Sequence, residues 1–246
     1  MAALVLVSVL LCSAVGTFIG ARLLGIARRT HQLPELLIGT AIFAYACLAL
    51  PALLAMGLPG ISLAAARALQ IVQQAANDTA LTALILFTWR VFRPDAGWAR
   101  RAALAGIALG RFASWGGVSV APAAAGASAM PAEVRPYVSL MMAIWGGAFL
   151  WTGLESLRFH AKMRRRLAIK LGDPMVCNRL LLWAIWGLGC FALGLVNIAF
   201  NVAGLDVSRH PAPLLNICVQ TSLSSAVWYL AFFAPESYAR FVRAAA

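Results

Sequence analysis

Seven runs of apolar residues, each twenty or more positions long, alternate with short polar stretches along the chain. They cover roughly 3–27, 36–57, 65–91, 99–121, 136–158, 175–203 and 212–233. A membrane-spanning helix needs about 20 apolar residues, so the pattern predicts an all-α, polytopic membrane protein with seven transmembrane helices. The ends of the runs carry helix punctuation. Pro34 sits at a first helical position with Glu35 beside it, favouring the helix dipole. Asp95 is placed to cap the fourth helix, Asp173-Pro174 to cap and open the sixth, and Pro211 and Pro213 to open the seventh. Ala234-Pro235-Glu236 breaks the seventh helix and starts a short amphipathic one over 235–246. There Tyr238, Phe241 and Val242 oppose Arg240 and Arg243, a pattern suited to the membrane surface. The whole of 1–246 reads as a single seven-helix domain.

Composition agrees with this and narrows the class. Of the 246 residues 62% are hydrophobic and 11% charged, against about 25% charged in an average soluble domain. That excludes a soluble globule, a disordered chain and a disulfide scaffold. The net charge of +12 rests on 18 Arg and 2 Lys. Sixteen of these twenty basic residues fall in the connections after helices one, three and five and in the C-terminal tail. Arg67, Arg135 and Arg209 lie in the opposite connections, and Arg111 lies within helix four. Basic residues collect in cytoplasmic loops. The expected topology is therefore N-terminus out, C-terminus in, with the basic face on anionic lipid rather than nucleic acid. The apolar N-terminus, with no charge before Arg22, reads as a retained first helix rather than a signal peptide. The excess of Arg and Ala fits a GC-rich bacterium, hence a bacterial inner membrane. Cys12, Cys47, Cys177, Cys190 and Cys218 all fall in or beside apolar segments, as small buried hydrophobes do.

Polar residues inside the bilayer are costly and usually face the bundle interior or a wet cavity. Gln70, Gln74, Asn77, Asp78 and Thr82 form one stripe on helix three. Asn216, Gln220 and Ser224 recur every four residues on helix seven, and Asn197 and Asn201 do so on helix six. Either these residues are hydrogen-bonding glue between helices, or they line a hydrated pocket; stripes this long on three helices favour the pocket. Asp78 and Arg111 both reach a depth of about 20 Å at 1.5 Å per residue, so an ion pair between them is expected. The ligand-binding candidates are thus Gln70, Gln74, Asn77, Asp78, Arg111, Asn197, Asn201, Asn216 and Gln220. Glu155 is expected to pair with a nearby Arg such as Arg90 or Arg158. Trp115, Trp145, Trp151, Trp183 and Trp186 serve as pocket walls or as packing and interface anchors. Gly116-Gly117 and Gly146-Gly147 permit close helix approach or a kink.

No enzyme signature is present. His31, His160 and His210 fall in loops or at helix ends, and no metal-ligand spacing, GxSxG or Walker A sequence occurs. No catalytic residue, metal or cofactor is expected. In topology the chain resembles the microbial rhodopsins. A retinal Schiff base needs a lysine on helix seven, and Lys162 and Lys170 both lie in the connection after helix five. A covalent retinal pigment is excluded. The segments Arg29-Thr30 through Pro34-Glu35 and Gly39, and Gly172-Asp173-Pro174 through Asn178-Arg179, are similar to uncharacterised bacterial seven-helix membrane proteins.

Helix three reads Gln70-Ile71-Val72-Gln73-Gln74 and helix seven Asn216-Ile217-Cys218-Val219-Gln220. This suggests a 3+1+3 parallel repeat, the plan of the PQ-loop sugar transporters, although the corresponding junction here is Leu33-Pro34-Glu35. Two functions follow. One is a receptor-like sensor of a small ligand that signals through its basic face to a cytoplasmic protein partner. The alternative is a small-solute transporter; a structural or assembly role is a third. The basic extension of helix five and the amphipathic tail tilt the reading toward the sensor.

Overall fold

A computed structural model describes residues 2–58, 60–120, 133–205 and 210–244. Among them there is no strand. The long helices are α1 (Ala2–Thr30), α2 (Leu33–Met56), α3 (Leu63–Phe92), α4 (Gly97–Val120), α5 (Arg135–Ala168), α6 (Pro174–Val202) and α7 (Pro211–Phe232), followed by the short α8 (Glu236–Ala244). Six of them, all but α3, are long and apolar enough to cross a membrane. The expectation of seven apolar spans thus meets six. α3 has the length, but Arg67, Gln70, Gln73, Gln74, Asn77 and Asp78 dilute its first half.

The helix starts follow their local chemistry. Asp173 accepts a hydrogen bond from the Met175 N–H (2.8 Å), capping α6 ahead of its first-turn proline. Ser62 caps α3 through the Ala65 N–H, and the His210 ring caps α7 through the Ala212 N–H. At α4 the first turn closes on the Ala96 carbonyl, so Ala96 rather than Asp95 occupies the capping position.

Consecutive helices pack side by side, and α7 closes on α1, so the seven form a ring in sequence order. α3 also touches α5 across it. Two seams of the ring are unusually close. A Cβ on Gly16 would lie 2.5 Å from that of Ala46, and one on Gly20 would meet the Phe43 backbone at 2.8 Å, so the GxxxG spacing of α1 lets α2 approach. At the α5–α6 seam a Cβ on Gly187 would stand 2.7 Å from the Gly153 nitrogen. Large apolar side chains such as Val7, Leu11, Phe18, Leu195 and Leu215 cover the outside of the ring. That is the surface of a multi-pass membrane protein, whose exterior is as apolar as its core.

α2 is interrupted at Ala44–Ala49 by a π-turn, in which the Leu50 N–H reaches back to the Tyr45 carbonyl. Continuing that pattern, the Ala46 carbonyl would accept from residue 51, but Pro51 has no N–H. The Ser13 hydroxyl of α1 donates to it instead, at 2.7 Å.

One end of the ring is basic. There Glu155, fully buried, accepts from Arg93 Nε and Arg158 Nη1, both at 3.0 Å on the same oxygen. Arg158 is one of the two partners expected from the sequence. Arg90, the other, lies over the Trp89 ring, and Arg93 takes its place because it follows the last turn of α3, facing α5. α8 is tied to this end by Tyr238, which exchanges hydrogen bonds with Asn178 (2.9 and 3.2 Å).

Candidate functional site

The ring encloses a cavity of about 500 Å³ with walls from all seven long helices. Its long axis follows α3, where wall residues run from Gln70 to Leu84, about 20 Å at 1.5 Å per residue. Helical spacing repeats along each wall. On α3 it is Gln70, Gln73, Gln74, Asn77, Ala80 and Leu84; on α6 it is Trp186, Cys190, Gly194 and Asn197; on α7 it is Gln220, Thr221, Ser224 and Trp228. Each wall is polar toward the end away from the basic residues and apolar at the bottom. α5 supplies Tyr137, Met141, Trp145 and Phe149, and α2 supplies Ile38, Ala41, Ile42 and Tyr45. Tyr45 sits at the start of the π-turn, the point where α2 departs from a regular helix.

The upper cavity is a ring of amides. Gln70, Gln73, Gln74, Asn77, Asn197 and Gln220 all line it, and no described lining residue is charged. The floor is aromatic. Trp186 packs edge-on to Phe149 (centroids 5.2 Å apart) and against Trp228 (5.9 Å). Its N–H donates to Ser224 Oγ at 3.0 Å, which fixes the indole across the bottom. Beneath it Trp183 stacks T-shaped on Trp186 (5.0 Å) and closes the core.

Five of the nine candidate residues meet at this cavity: Gln70, Gln74, Asn77, Asn197 and Gln220. The other four do not line it. Asp78 is buried and accepts a hydrogen bond from Ser114 Oγ on α4 at 2.5 Å. Arg111 is exposed on the outside of α4, and no ion pair joins it to Asp78. The expected pair is thus replaced by a hydroxyl–carboxylate contact. Equal depth brought the two residues level, but the buried face of α4 is Ala99, Ala103, Gly110, Ala113 and Ser114. Arg111 stands 100° from Gly110 on that helix. Asn201 donates to Ser139 Oγ (2.7 Å), fastening α6 to α5. Asn216 donates to the Leu193 carbonyl (3.1 Å), fastening α7 to α6. These two are interhelical glue.

Of the five tryptophans singled out, Trp145 and Trp186 are cavity walls. Trp183 is core, Trp151 packs on Trp98 (5.9 Å), and Trp115 is exposed. Of the glycine pairs, Gly117 and Gly146 reach the wall, and Gly116 accommodates the Tyr137 ring. Sequence reasoning did not select Gln73, Tyr45, Tyr137, Phe149, Ser114 or Trp228. Gln73 was legible as a member of the α3 stripe. The aromatics were not, because an aromatic on a spanning helix has the same pattern whether it faces cavity, neighbour or lipid.

Among the described residues no three His, Cys, Asp or Glu side chains are grouped to hold a metal ion. Chemically the cavity offers neutral hydrogen-bond donors and acceptors above an aromatic base. Such a site holds a molecule of matching character and does not by itself activate one. Comparison of the chain with family models, with curated proteins and with solved structures finds no match.

Proposed function

We propose that the chain is a seven-span protein of a bacterial inner membrane, N-terminus out, that receives a neutral, hydrogen-bonding small molecule in the amide-lined cavity. It reports occupancy through its basic face to a cytoplasmic protein partner. The observation that carries this reading is the set of six amides from three helices around one cavity without a charged lining residue. An anionic ligand would enter with no counter-charge, and a cation would find only Asp78, set behind Ser114, so neither charge is matched by the lining residues. A neutral ligand with an apolar ring and polar edges matches both the floor and the rim. α3 is the seventh span on this reading. Its amides face the cavity, while Ile71, Val72, Ala75 and Thr79 face outward, the Thr79 hydroxyl satisfied by the Ala75 carbonyl (2.8 Å).

Thermal-shift measurements on the purified protein against a library of neutral and charged small molecules test the binding reading. Neutral aromatic amides, lactams or nucleobase-like rings should stabilise the wild type, and Asn77→Leu with Gln220→Leu should abolish the shift. Stabilisation by anions or cations alone would refute it. The span count is tested separately with single cysteines at Leu58 and Ala96, on either side of α3. Labelling of both from the same face of the membrane would remove α3 as a span.

A second reading, a small-solute carrier, is favoured by one observation. Ile38 belongs both to the floor of the amide-lined cavity and to the wall of a smaller cleft at the basic end. One side chain on the half of α2 that precedes the π-turn thus touches both spaces. Uptake of a stabilising ligand into proteoliposomes would decide for the carrier.

A further inference from the structure

The smaller cleft, about 310 Å³, opens at the basic end between α1, α2, α6 and α7, with Phe87 of α3 also in its wall. Its base is apolar: Leu23, Ile38 and Trp183 are all buried there. Its rim carries Arg22 and Arg179, both exposed and neither in an ion pair with a described residue. Arg22 is held in place by the Phe233 ring, with its guanidinium carbon 4.5 Å from the centroid. Glu35 is the third charged residue of the cleft. Its carboxylate lies 3.0 Å from the side-chain amide nitrogen of Gln32, with that amide oriented to donate.

Two guanidiniums and one carboxylate leave a single net positive charge. That matches a phosphodiester, which carries one negative charge, better than a free phosphate, which carries about one and a half at neutral pH. Guanidinium groups suit phosphate oxygens through paired N–H donors. The outer surface beside the cleft supplies the rest of a lipid site. Val7, Leu11 and Phe18 on α1 are 62%, 54% and 63% exposed. At spacings of four and seven residues they form one stripe that runs down α1 to Arg22. Phe18 also packs on Phe233 at 5.2 Å, which joins the stripe to the rim.

We propose that this cleft is a specific site for a membrane phospholipid, with the phosphodiester between Arg22 and Arg179 and an acyl chain along the α1 stripe. Basic pockets between spanning helices hold lipid headgroups in this way. The site is separate from the amide-lined cavity, and its occupancy does not depend on what that cavity binds.

Native mass spectrometry of the detergent-purified full chain tests it, with dioleoylphosphatidylglycerol titrated against dioleoylglycerol. The two share acyl chains and differ in the phosphoglycerol headgroup. One phosphatidylglycerol should remain bound per chain under conditions that strip dioleoylglycerol. Arg22→Gln with Arg179→Gln should weaken it about tenfold, as loss of charge-assisted hydrogen bonds implies. Arg28→Gln with Arg29→Gln, which alters the same net charge outside the cleft, should leave it unchanged. If the double cleft variant does not purify, Arg179→Gln alone should weaken binding about threefold. Equal retention of dioleoylglycerol, or equal loss in the Arg28/Arg29 variant, overturns the site. Displacement of the lipid by millimolar inorganic phosphate assigns the cleft to a soluble anion and overturns the lipid.

Discussion

The two ends of the ring treat polar groups in opposite ways. At the basic end the buried carboxylate of Glu155 is met by two guanidiniums on one oxygen. At the other end six amides surround a cavity and face one another across it. Burial of a charge is costly unless it is paired, so Glu155 is legible as a structural element whose partners cannot be spared. An amide is neutral and can line a wet or ligand-filled space at small cost, where a lone charge could not. Between these extremes lie Asn201, Asn216 and Asp78, polar groups already committed to Ser139, the Leu193 carbonyl and Ser114.

The largest expected effect is at Glu155. Arg93→Gln with Arg158→Gln leaves a buried carboxylate uncompensated and should cost about 3–5 kcal/mol, with Glu155→Leu restoring most of it. Denaturation monitored in mild detergent would measure this, and a cycle with no recovery would mean that the guanidiniums act by packing rather than by charge. Next comes Asp78. Ser114→Ala removes the hydroxyl that the buried carboxylate accepts from and should cost about 1–3 kcal/mol. Arg111→Gln should change stability by less than about 0.5 kcal/mol, as an exposed residue does. The reverse ranking would restore the ion pair. The smallest effects separate glue from cavity. Asn216→Val should cost about 0.6 kcal/mol, the mean for an interhelical hydrogen bond in a membrane. Gln74→Leu should leave stability of the empty protein within about 0.5 kcal/mol while abolishing ligand-induced thermal shifts.

Much of the fold was legible because spanning helices announce themselves by length, proline and capping residues. The predicted segment 212–233 became Pro211–Phe232, and 175–203 became Pro174–Val202. The polar stripe of α3 was legible for the same reason: Gln70, Gln74 and Asn77 at helical spacing cannot all face lipid. What depth and composition leave open is rotation about the helix axis. Asp78 and Arg111 were matched in height, yet α4 turns its small residues inward and Arg111 outward. The run of Ala and Gly at 99, 103, 110 and 113 carries that signal, since small residues mark the face where helices approach. Asn197 and Asn201 show the complementary limit. They share one face by spacing, but Asn201 lies one turn higher, where Ser139 and the Arg135 carbonyl come within reach. Spacing alone does not distinguish an amide that has found a partner from one that faces a cavity.

On the proposed reading, the amides of α3, α6 and α7 surround a space that holds a neutral molecule. An experimental structure of the protein purified from its native membrane into lipid nanodiscs tests this most directly. Ordered non-protein density is expected among Gln74, Asn77, Asn197 and Gln220, resting on the Trp186 and Trp228 rings, with no ion among its contacts. Closure of that space by packed side chains, or density for a charged group bound there, would contradict it.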